Sequence, residues 1–228
     1  NARRTVQEMM RAGAAALFIE DQVSPKRCGF VKGKELIPVD EAVGKYRACL
    51  DARDEADPDF MIISRTDARG AVGGGMDEVI RRAEAYLAAG VDVLYVEALQ
   101  TREEIRAVRE AFPDCLLMCT PMAIAPPLTG EEMAELGISL SGFHIARVGT
   151  IAMHDFLARY MKEGESAWHE FLAMSRDHPL GGFRIFDLAG FPEIAEQERR
   201  YLPQRSADRY DASIGVYDPR GARSAAAE

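Results

Sequence analysis

The sequence predicts an α/β fold with a parallel sheet, of the type found in β/α barrels. Short apolar runs alternate five times with helical patterns, and no spacer or change in composition interrupts the alternation. The 228 residues suffice for one sizeable core, and 47% of them are hydrophobic. We therefore expect one β/α-barrel domain over residues 1–203, followed by a flexible tail over 204–228, where the composition becomes polar and small.

Five runs are candidate strands, and each is short and apolar, as expected for strands of a buried parallel sheet. The clearest of them begins at Phe60, shortly after Pro58, and continues without a polar break to Ser64. The predicted strands cover residues 14–19, 60–64, 91–96, 115–119 and 138–146.

Apolar residues at helical spacing predict the helices between and after these strands. Gly13 stands where a helix commonly ends in a left-handed residue. Thr101 with Glu104, and Thr129 with Glu132, have the spacing of capping boxes. The predicted helices run from the start of the chain to Gly13 and over 39–56, 76–89, 101–112, 129–137, 150–162, 168–176 and 192–201.

Polar and charged residues stand at the C-terminal ends of the predicted strands, whereas the N-terminal ends carry nothing comparable. In a β/α barrel the active site lies at the C-terminal ends of the strands. Five polar ends that meet at one rim therefore predict a functional site there. These ends carry Glu20 and Asp21, Arg65 to Asp67, Glu97, Thr120 and Arg147.

The loop after the first strand is the most distinctive stretch of the chain. Glu20 and Asp21 are candidate metal ligands or bases, because unpaired buried charge is too costly to serve packing alone. Lys26 and Arg27 directly precede Cys28, and cations beside a thiol are the usual setting for reactive cysteine. The sequence thus predicts a mobile loop that carries a reactive cysteine.

Each of these candidates also has a structural interpretation. Cys28 is then an ordinary surface thiol, and Glu20 either caps the helix near Asp40 or pairs with Lys26. Arg65 forms an ion pair with Asp67 across the rim. Perturbed side chains mark functional sites only statistically, so the residues alone leave both interpretations open.

Composition excludes several classes of partner. The net charge of −9 argues against nucleic acid and against anionic membrane surfaces, which attract a basic face. No apolar run approaches the ~20 residues of a membrane span, and no signal peptide opens the chain, so we expect a cytoplasmic protein. The four cysteines lack zinc-site spacing, which favours reduced thiols, and the four histidines show no ligand spacing.

The number of strands raises a question, because a closed barrel of this type has eight and the sequence shows five. We expect an N-terminal part of the barrel to precede Asn1. An open doubly wound sheet is the alternative, but it calls for a glycine-rich phosphate loop after the first strand, and residues 24–29 do not form one.

Four short motifs stand in series along the chain. They are Glu20-Asp21-Gln22, Lys26-Arg27-Cys28-Gly29, Arg65-Thr66-Asp67-Ala68 and Glu97-Ala98. The most specific of them is Lys-Arg-Cys-Gly after a strand that ends in Glu-Asp. Together they resemble the isocitrate lyase/phosphoenolpyruvate mutase superfamily, and the similarity is greatest to its branch of methylisocitrate lyases and dimethylmalate or methylmalate lyases.

This resemblance implies a (β/α)8 TIM-type barrel that forms a homotetramer by exchange of a C-terminal helix between subunits. It also implies a lyase that uses Mg²⁺, or Mn²⁺, to cleave the C2–C3 bond of a small 2-hydroxy di- or tricarboxylate. The substrate would be 2-methylisocitrate, isocitrate or an alkylmalate. The products would be pyruvate or glyoxylate and a carboxylate such as succinate.

The resemblance also implies roles for single residues. Cys28 would be the general acid that protonates the enolate, and Glu20 would belong to the Mg²⁺ shell through water. Arg65 would bind a substrate carboxylate, with Glu97 beside it. The implied substrate contacts are Lys26, Arg27, Gly29, Thr120, Arg147 and Arg184.

Three features depart from the family pattern. Phe30 follows Cys-Gly where the family lyases commonly have His, and Met118 and Cys119 stand where the family usually supplies Asn. Both changes bear on the substrate. The family's direct Mg²⁺ ligands, an Asp-x-Asp pair, would lie before Asn1, together with its general base.

Three functions are therefore compatible with the sequence. The first is the Mg²⁺-dependent carbon–carbon lyase. The second is a relative that hydrolyses or decarboxylates oxaloacetate or acts on a phosphonate. The third is a non-catalytic barrel or binding protein with an incomplete metal site.

Overall fold

Five parallel strands form one sheet, and their order in the sheet follows their order in the chain. Each crossover therefore adds its strand on the same side, as in a β/α barrel, whereas a doubly wound sheet reverses direction at a switch point. This order supports the predicted barrel type over its doubly wound alternative. The strands are β1 (Ala16–Glu20), β2 (Met61–Thr66), β3 (Val93–Val96), β4 (Leu116–Cys119) and β5 (Ile138–Ser141).

The computed structural model describes residues 1–142, 144–203 and 208–221. The chain divides into two compact units, Asn1–Phe143 and His144–Glu228, and the sheet belongs to the first. The assignment of residues 1–203 to one domain stays a prediction. Of the predicted tail, residues 204–207 and 222–228 lie outside the described part of the chain.

Five helices of the first unit follow or precede the strands in alternation. Their buried residues recur at helical spacing: Ala42, Tyr46 and Cys49 face inward from one helix, and Val79 and Ala83 from the next. The helices are α1 (Ala2–Arg11), α2 (Val39–Ala56), α3 (Met76–Ala88), α4 (Arg102–Ala111) and α5 (Gly130–Glu135). These boundaries lie within three residues of the predicted ones.

The core lies between the helices and one face of the sheet. Tyr46 and Tyr86 meet edge to face in one half of this core, with ring centroids 4.8 Å apart. Leu94 and Leu117 fill the other half. The opposite face carries a smaller buried cluster that includes Ile63, Val93 and Tyr95. Successive residues of a strand point to opposite faces of the sheet. Two adjacent polar residues at the end of one strand therefore face opposite sides.

Strand register brings the polar strand ends level with one another. Glu20 pairs with Arg65 in the ladder between β1 and β2, and Thr66 pairs with Val96 in the next ladder. The residue after Val96 is Glu97, whose amide donates to the carbonyl oxygen of Thr66 at 3.0 Å. The ends of β1, β2 and β3 therefore form one rim.

The second unit is helical in its described residues. Its helices are α6 (Ile145–Glu163), α7 (Glu165–Met174), α8 (Ile185–Leu188) and α9 (Phe191–Tyr201), with short 3₁₀ turns at Gly182–Arg184 and Asp208–Tyr210. Helix α6 has no buried residue. Many of the large apolar side chains in this unit are exposed, including Met161 at 84% and Met174 at 80%.

The prediction for Arg147 is wrong in one respect. We expected a strand over 138–146 with Arg147 at its end, and a helix from Thr150. Instead β5 ends at Ser141 and α6 begins at Ile145, so Arg147 lies in the first turn of a helix. A short apolar run fits either a strand or a buried helix, and Gly142 divides this one into two elements.

No helix in the described ranges combines the length and apolar character that crossing a membrane requires.

Candidate active site

A buried arginine occupies the centre of the rim. Arg65 is 8% exposed, and its guanidinium donates to both oxygens of Asp67, from Nε at 3.0 Å and from Nη2 at 3.1 Å. Two further carboxylates flank it: Glu20 Oε2 lies 3.5 Å from Nε, and Glu97 Oε2 lies 3.6 Å from Nη2. Within the described residues, Nη1 makes no hydrogen bond and keeps two N–H groups for a ligand.

The guanidinium of Arg65 also lies within cation–π distance of two aromatic rings. Its carbon lies 5.7 Å from the ring centroid of Phe18 and 5.3 Å from that of Tyr95. Burial opposes the charge on Arg65, but hydrogen bonding to Asp67 and attraction by Asp67 and Glu97 outweigh burial, so the pKa of Arg65 is raised. Arg65 is therefore a fixed positive charge in a largely desolvated site.

Two hydroxyl groups extend the site toward β4. The hydroxyl of Tyr95 lies 3.0 Å from Thr120 Oγ1, and both residues are buried. Burial raises the pKa of Tyr95 to about 12, and neighbouring Glu97 adds to the rise. The phenol therefore stays protonated and remains a hydrogen-bond donor. Tyr95 is not among the predicted site residues, although it stands two residues before Glu97 and so points to the same side of the sheet.

The loop over residues 22–36, which we call the cysteine loop, is closed at its base by backbone pairing. Gln22 and Leu36 form an antiparallel bridge, and the amide of Val23 donates to the carbonyl oxygen of Glu35 at 2.9 Å. The Gln22 side chain donates to the carbonyl oxygen of Arg27 at 3.0 Å and accepts from the Arg27 amide at 2.9 Å.

The cysteine loop folds over the buried arginine at Gly29. A Cβ atom added to Gly29 would lie 2.7 Å from Arg65 Nη2 and closer still to the side chain of Glu97. Only glycine allows this approach without displacement of the neighbours. The exposed Cys28 is the adjacent residue, so the predicted general acid stands one position along the chain from the contact with the predicted carboxylate-binding arginine.

Buried carboxylate oxygens without a partner also face this region. Glu20 receives Lys26 Nζ on Oε2 at 3.0 Å, but its Oε1 is buried and has no hydrogen-bond partner. Glu97 Oε2 is likewise buried and accepts no hydrogen bond. No group of three or more His, Cys, Asp or Glu residues in the described part of the chain is arranged to hold a metal ion. The oxygens of Glu20 and Glu97 suit a Mg²⁺ ion that keeps most of its water ligands and contacts few carboxylates, because Mg²⁺ in proteins is commonly bound in this way.

Asp21 differs completely from its neighbour Glu20. It is fully buried and accepts hydrogen bonds from Thr66 Oγ1 at 2.8 Å, Tyr86 OH at 2.8 Å and Arg82 Nη1 at 3.1 Å. It also accepts from the amide of Asp67 at 3.0 Å. Burial and then Asp21 raise the pKa of Tyr86, whose hydroxyl therefore keeps its proton for this bond. Asp21 thus fixes the end of β2 behind the site.

The structure brings most of the predicted site residues together, but not all. Arg147 and Arg184 are exposed in the second unit, and the roles implied for them stay predictions. The sequence analysis also overlooked Lys34, whose side chain is buried beneath the cysteine loop. The predicted residues of the first-unit rim and its loop are Glu20, Lys26, Arg27, Cys28, Gly29, Arg65, Glu97 and Thr120.

Comparison with known proteins establishes the class. A sequence model of the family described as phosphoenolpyruvate phosphomutase matches residues 1–159. The chain belongs to this PEP mutase/isocitrate lyase family, which confirms the predicted family.

Several relatives are named lyases. The 2,3-dimethylmalate lyase of Eubacterium barkeri is 35% identical over 208 residues, which cover 90% of this chain and 68% of that protein. The probable 2-methylisocitrate lyase 1 of Corynebacterium glutamicum is 42% identical over 139 residues, which cover 60% of this chain and 44% of that protein. The chain thus spans about two thirds of the first relative and less than half of the second. These names identify it as a homologue of carbon–carbon lyases.

Solved structures agree with this class. A crystal structure of 2,3-dimethylmalate lyase matches with a TM-score of 0.76 and 27% identity, and the match covers 94% of this chain and 68% of that one. A phosphonopyruvate hydrolase in complex with oxalate and Mg²⁺ matches with a TM-score of 0.69 and 31% identity, over 89% and 69% of the two chains. These matches confirm the predicted barrel fold class.

The adjacent acids provide a matched test of the site's construction. We expect Asp21→Asn to lower the free energy of unfolding by about 2–3 kcal/mol, because the buried acceptor of four hydrogen bonds loses its charge and Arg82 keeps only Glu78 as a carboxylate partner. Glu20→Gln should lower it by about 1 kcal/mol or less, because Glu20 has a buried oxygen to which nothing donates. Urea unfolding at one fixed protein concentration measures both. Equal losses in the two variants would contradict the assignment of Asp21 to the scaffold.

Proposed function

We propose that this protein is a Mg²⁺-dependent lyase that cleaves the C2–C3 bond of a small 2-hydroxy di- or tricarboxylate. The products are a 2-oxo acid, pyruvate or glyoxylate, and a second carboxylate. The observation that supports this proposal is the close approach of Gly29 to Arg65 and Glu97, because the residue before Gly29 is Cys28, which carries the thiol. A cytoplasmic location is part of the same proposal.

Arg65 suits one half of such a substrate. The bonds to Asp67 occupy Nε and Nη2, so Nη1 remains to bind a carboxylate. Glu97 and the rings of Phe18 and Tyr95 hold the guanidinium so that it need not reorient during the reaction. Donors placed in advance toward developing charge are the largest source of rate enhancement in many enzymes. Thr120, paired with Tyr95, offers a further hydroxyl to the substrate.

Cys28 suits the protonation step of the reaction. When the C2–C3 bond breaks, the C2 hydroxyl gives its proton to a base, which releases it to solvent, and becomes the carbonyl group of the 2-oxo acid. The electron pair of the broken bond stays on the departing carbon and is delocalised into that fragment's carboxylate. The Cys28 Sγ–H then protonates this carbon, a C–H bond forms, and the thiolate regains a proton from solvent afterwards. An acid on a loop that closes over the site can exclude water from the carbanion. Lys26 and Arg27 add positive charge to the anionic substrate's approach.

The proposal includes a divalent cation, with Glu20 as its partner through water. The unpaired Oε1 of Glu20 supports this role, and Mn²⁺ has the same oxygen-ligand chemistry. When bound, the cation would supply Lewis-acid stabilisation of the 2-oxo acid oxygen.

A product assay on the full-length protein tests the proposed function. We expect one of 2-methylisocitrate, isocitrate, 2-methylmalate and 2,3-dimethylmalate to release pyruvate or glyoxylate with Mg²⁺, and release to stop with EDTA. Cys28→Ser should lower turnover by about 10³-fold or more, because a hydroxyl is a far weaker acid than a thiol, with little change in substrate affinity. Cys115→Ser, which replaces a half-buried thiol in the core, is the matched control.

Other outcomes of the same assay would overturn the lyase. Oxalate or CO₂ from oxaloacetate, or phosphate from phosphonopyruvate, with silence on the 2-hydroxy acids, would establish the hydrolase alternatives. A folded full-length protein that binds these carboxylates but converts none of them would establish the non-catalytic alternative. Full activity in Cys28→Ser would remove the acid role.

We also propose that the protein forms a homotetramer through its second unit, by exchange of a C-terminal helix. The many large apolar side chains that are exposed in that unit support self-association, because burying them against another subunit removes apolar surface from water. Met161 and Met174, both about four-fifths exposed, are the clearest examples.

Light scattering coupled to size exclusion tests this association. We expect a mass about four times that of one chain of the full-length protein. Met161→Glu with Met174→Glu should shift the mass toward one or two chains, because a charge buried in an apolar interface costs several kcal/mol. Lys162→Glu, on the same helix, should leave the tetramer intact. A monomeric wild-type protein at micromolar concentration would contradict the proposal.

A further inference from the structure

Lys34 has an environment that neither the sequence motifs nor the proposed chemistry explains. Its side chain is buried, at 3% exposure, yet no hydrogen bond or ion pair in the described residues gives its ammonium an acidic partner. Instead Nζ donates to the carbonyl oxygens of Gly29 and Val31, at 2.5 Å and 3.1 Å. Burial of a charge is costly unless hydrogen bonds compensate it, so these two bonds are the reason that the ammonium can stay there.

The two carbonyl groups belong to the tip of the cysteine loop. Gly29 is the residue that contacts Arg65 and Glu97, and the amide of Val31 closes a turn onto the carbonyl oxygen of Cys28 at 2.8 Å. The ammonium therefore holds this turn through two of its backbone carbonyl groups. Both bonds shift if the tip lifts away from the rim.

Lys34 is itself anchored to the segment that follows β2. Its backbone bridges Ala71, and its carbonyl oxygen accepts from the amide of Val72 at 2.8 Å. Gly70 passes so close that an added Cβ would lie 3.0 Å from Nζ. Lys34, which holds the loop tip, is thus hydrogen-bonded to a segment only a few residues after β2, the strand that carries Arg65.

Apolar packing adds little to the hydrogen bonds that hold the loop tip. A cavity of about 190 Å³ lies between the two limbs of the loop, lined by residues that include Gln22, Arg27 and Lys34. Phe30 and Val31 at the tip are 42% and 48% exposed. The closed position of the tip therefore depends on a few directional hydrogen bonds, and a loop held in this way can open at small cost.

We propose that Lys34 is a positioning residue that holds the cysteine loop closed, so that Cys28 stays over the Arg65–Glu97 pair. Its ammonium does not touch the substrate, and its effect on the reaction passes through Gly29. The catalytic part of this inference rests on the proposed function, whereas the structural part, the hold on the loop, does not.

Hydrogen exchange of the full-length protein tests the structural part without any substrate. In Lys34→Met, we expect the amides of residues 26–33 to exchange about tenfold faster or more, because two charge-assisted bonds are lost. Lys32→Met removes an exposed ammonium from the same loop and should match the wild type. If Lys34→Met does not fold, Lys34→Gln, which keeps N–H donors, should show a smaller rise. Unchanged exchange in a folded Lys34 variant overturns the proposal.

Steady-state kinetics then test the catalytic part on whichever substrate the product assay identifies. We expect kcat of Lys34→Met to fall about tenfold while KM changes little, because Arg65 still binds the substrate and only the acid is misplaced. Faster exchange with unchanged kcat would overturn the positioning role and keep the structural hold. Because the exchange experiment uses no substrate, failure of the lyase proposal and failure of this one give different results.

Discussion

The site depends on how one buried guanidinium is held. Arg65 has Asp67 on two of its nitrogens, Glu20 and Glu97 at 3.5–3.6 Å, and two aromatic rings beside it. This arrangement compensates the desolvation of the charge, and it leaves Nη1 as the free end. The polar strand ends, Gly29 and the cysteine loop all lie around this guanidinium. Asp21, behind it, fixes the end of β2 and thereby the position of Arg65 itself.

Rigid and mobile parts meet at Gly29. The rim is rigid because it stands at the ends of paired strands and is backed by buried hydrogen bonds. The cysteine loop is held by Gln22 and Lys34 across a polar cavity, so its stability is local and small. Such a division suits a reaction in which substrate enters an open site and an acid must then approach a carbanion. It also explains why the thiol is exposed while its neighbour is buried.

Much of this site could be predicted from the sequence, because parallel strands that end in polar residues bring those residues to one rim. Strand alternation also distinguishes Glu20, which faces the site, from Asp21, which faces the helices, although adjacency in sequence suggested one pair. Lys34 gave no such signal, since its partners are backbone carbonyl groups brought close only by the folded loop. Arg147 was misplaced because an apolar run divided by glycine fits a strand and a helix equally well.

The most direct measurement is the turnover of Gly29→Ala against Gly44→Ala on the substrate that the enzyme cleaves. The account predicts a loss of about 10²-fold for Gly29→Ala, because its Cβ would meet Glu97 and Arg65 and hold the cysteine loop off the rim. Gly44 lies on α2 with open space around it, so its variant should keep full turnover. Wild-type turnover in a folded Gly29→Ala protein would contradict the claim that Cys28 acts from a loop closed on Arg65.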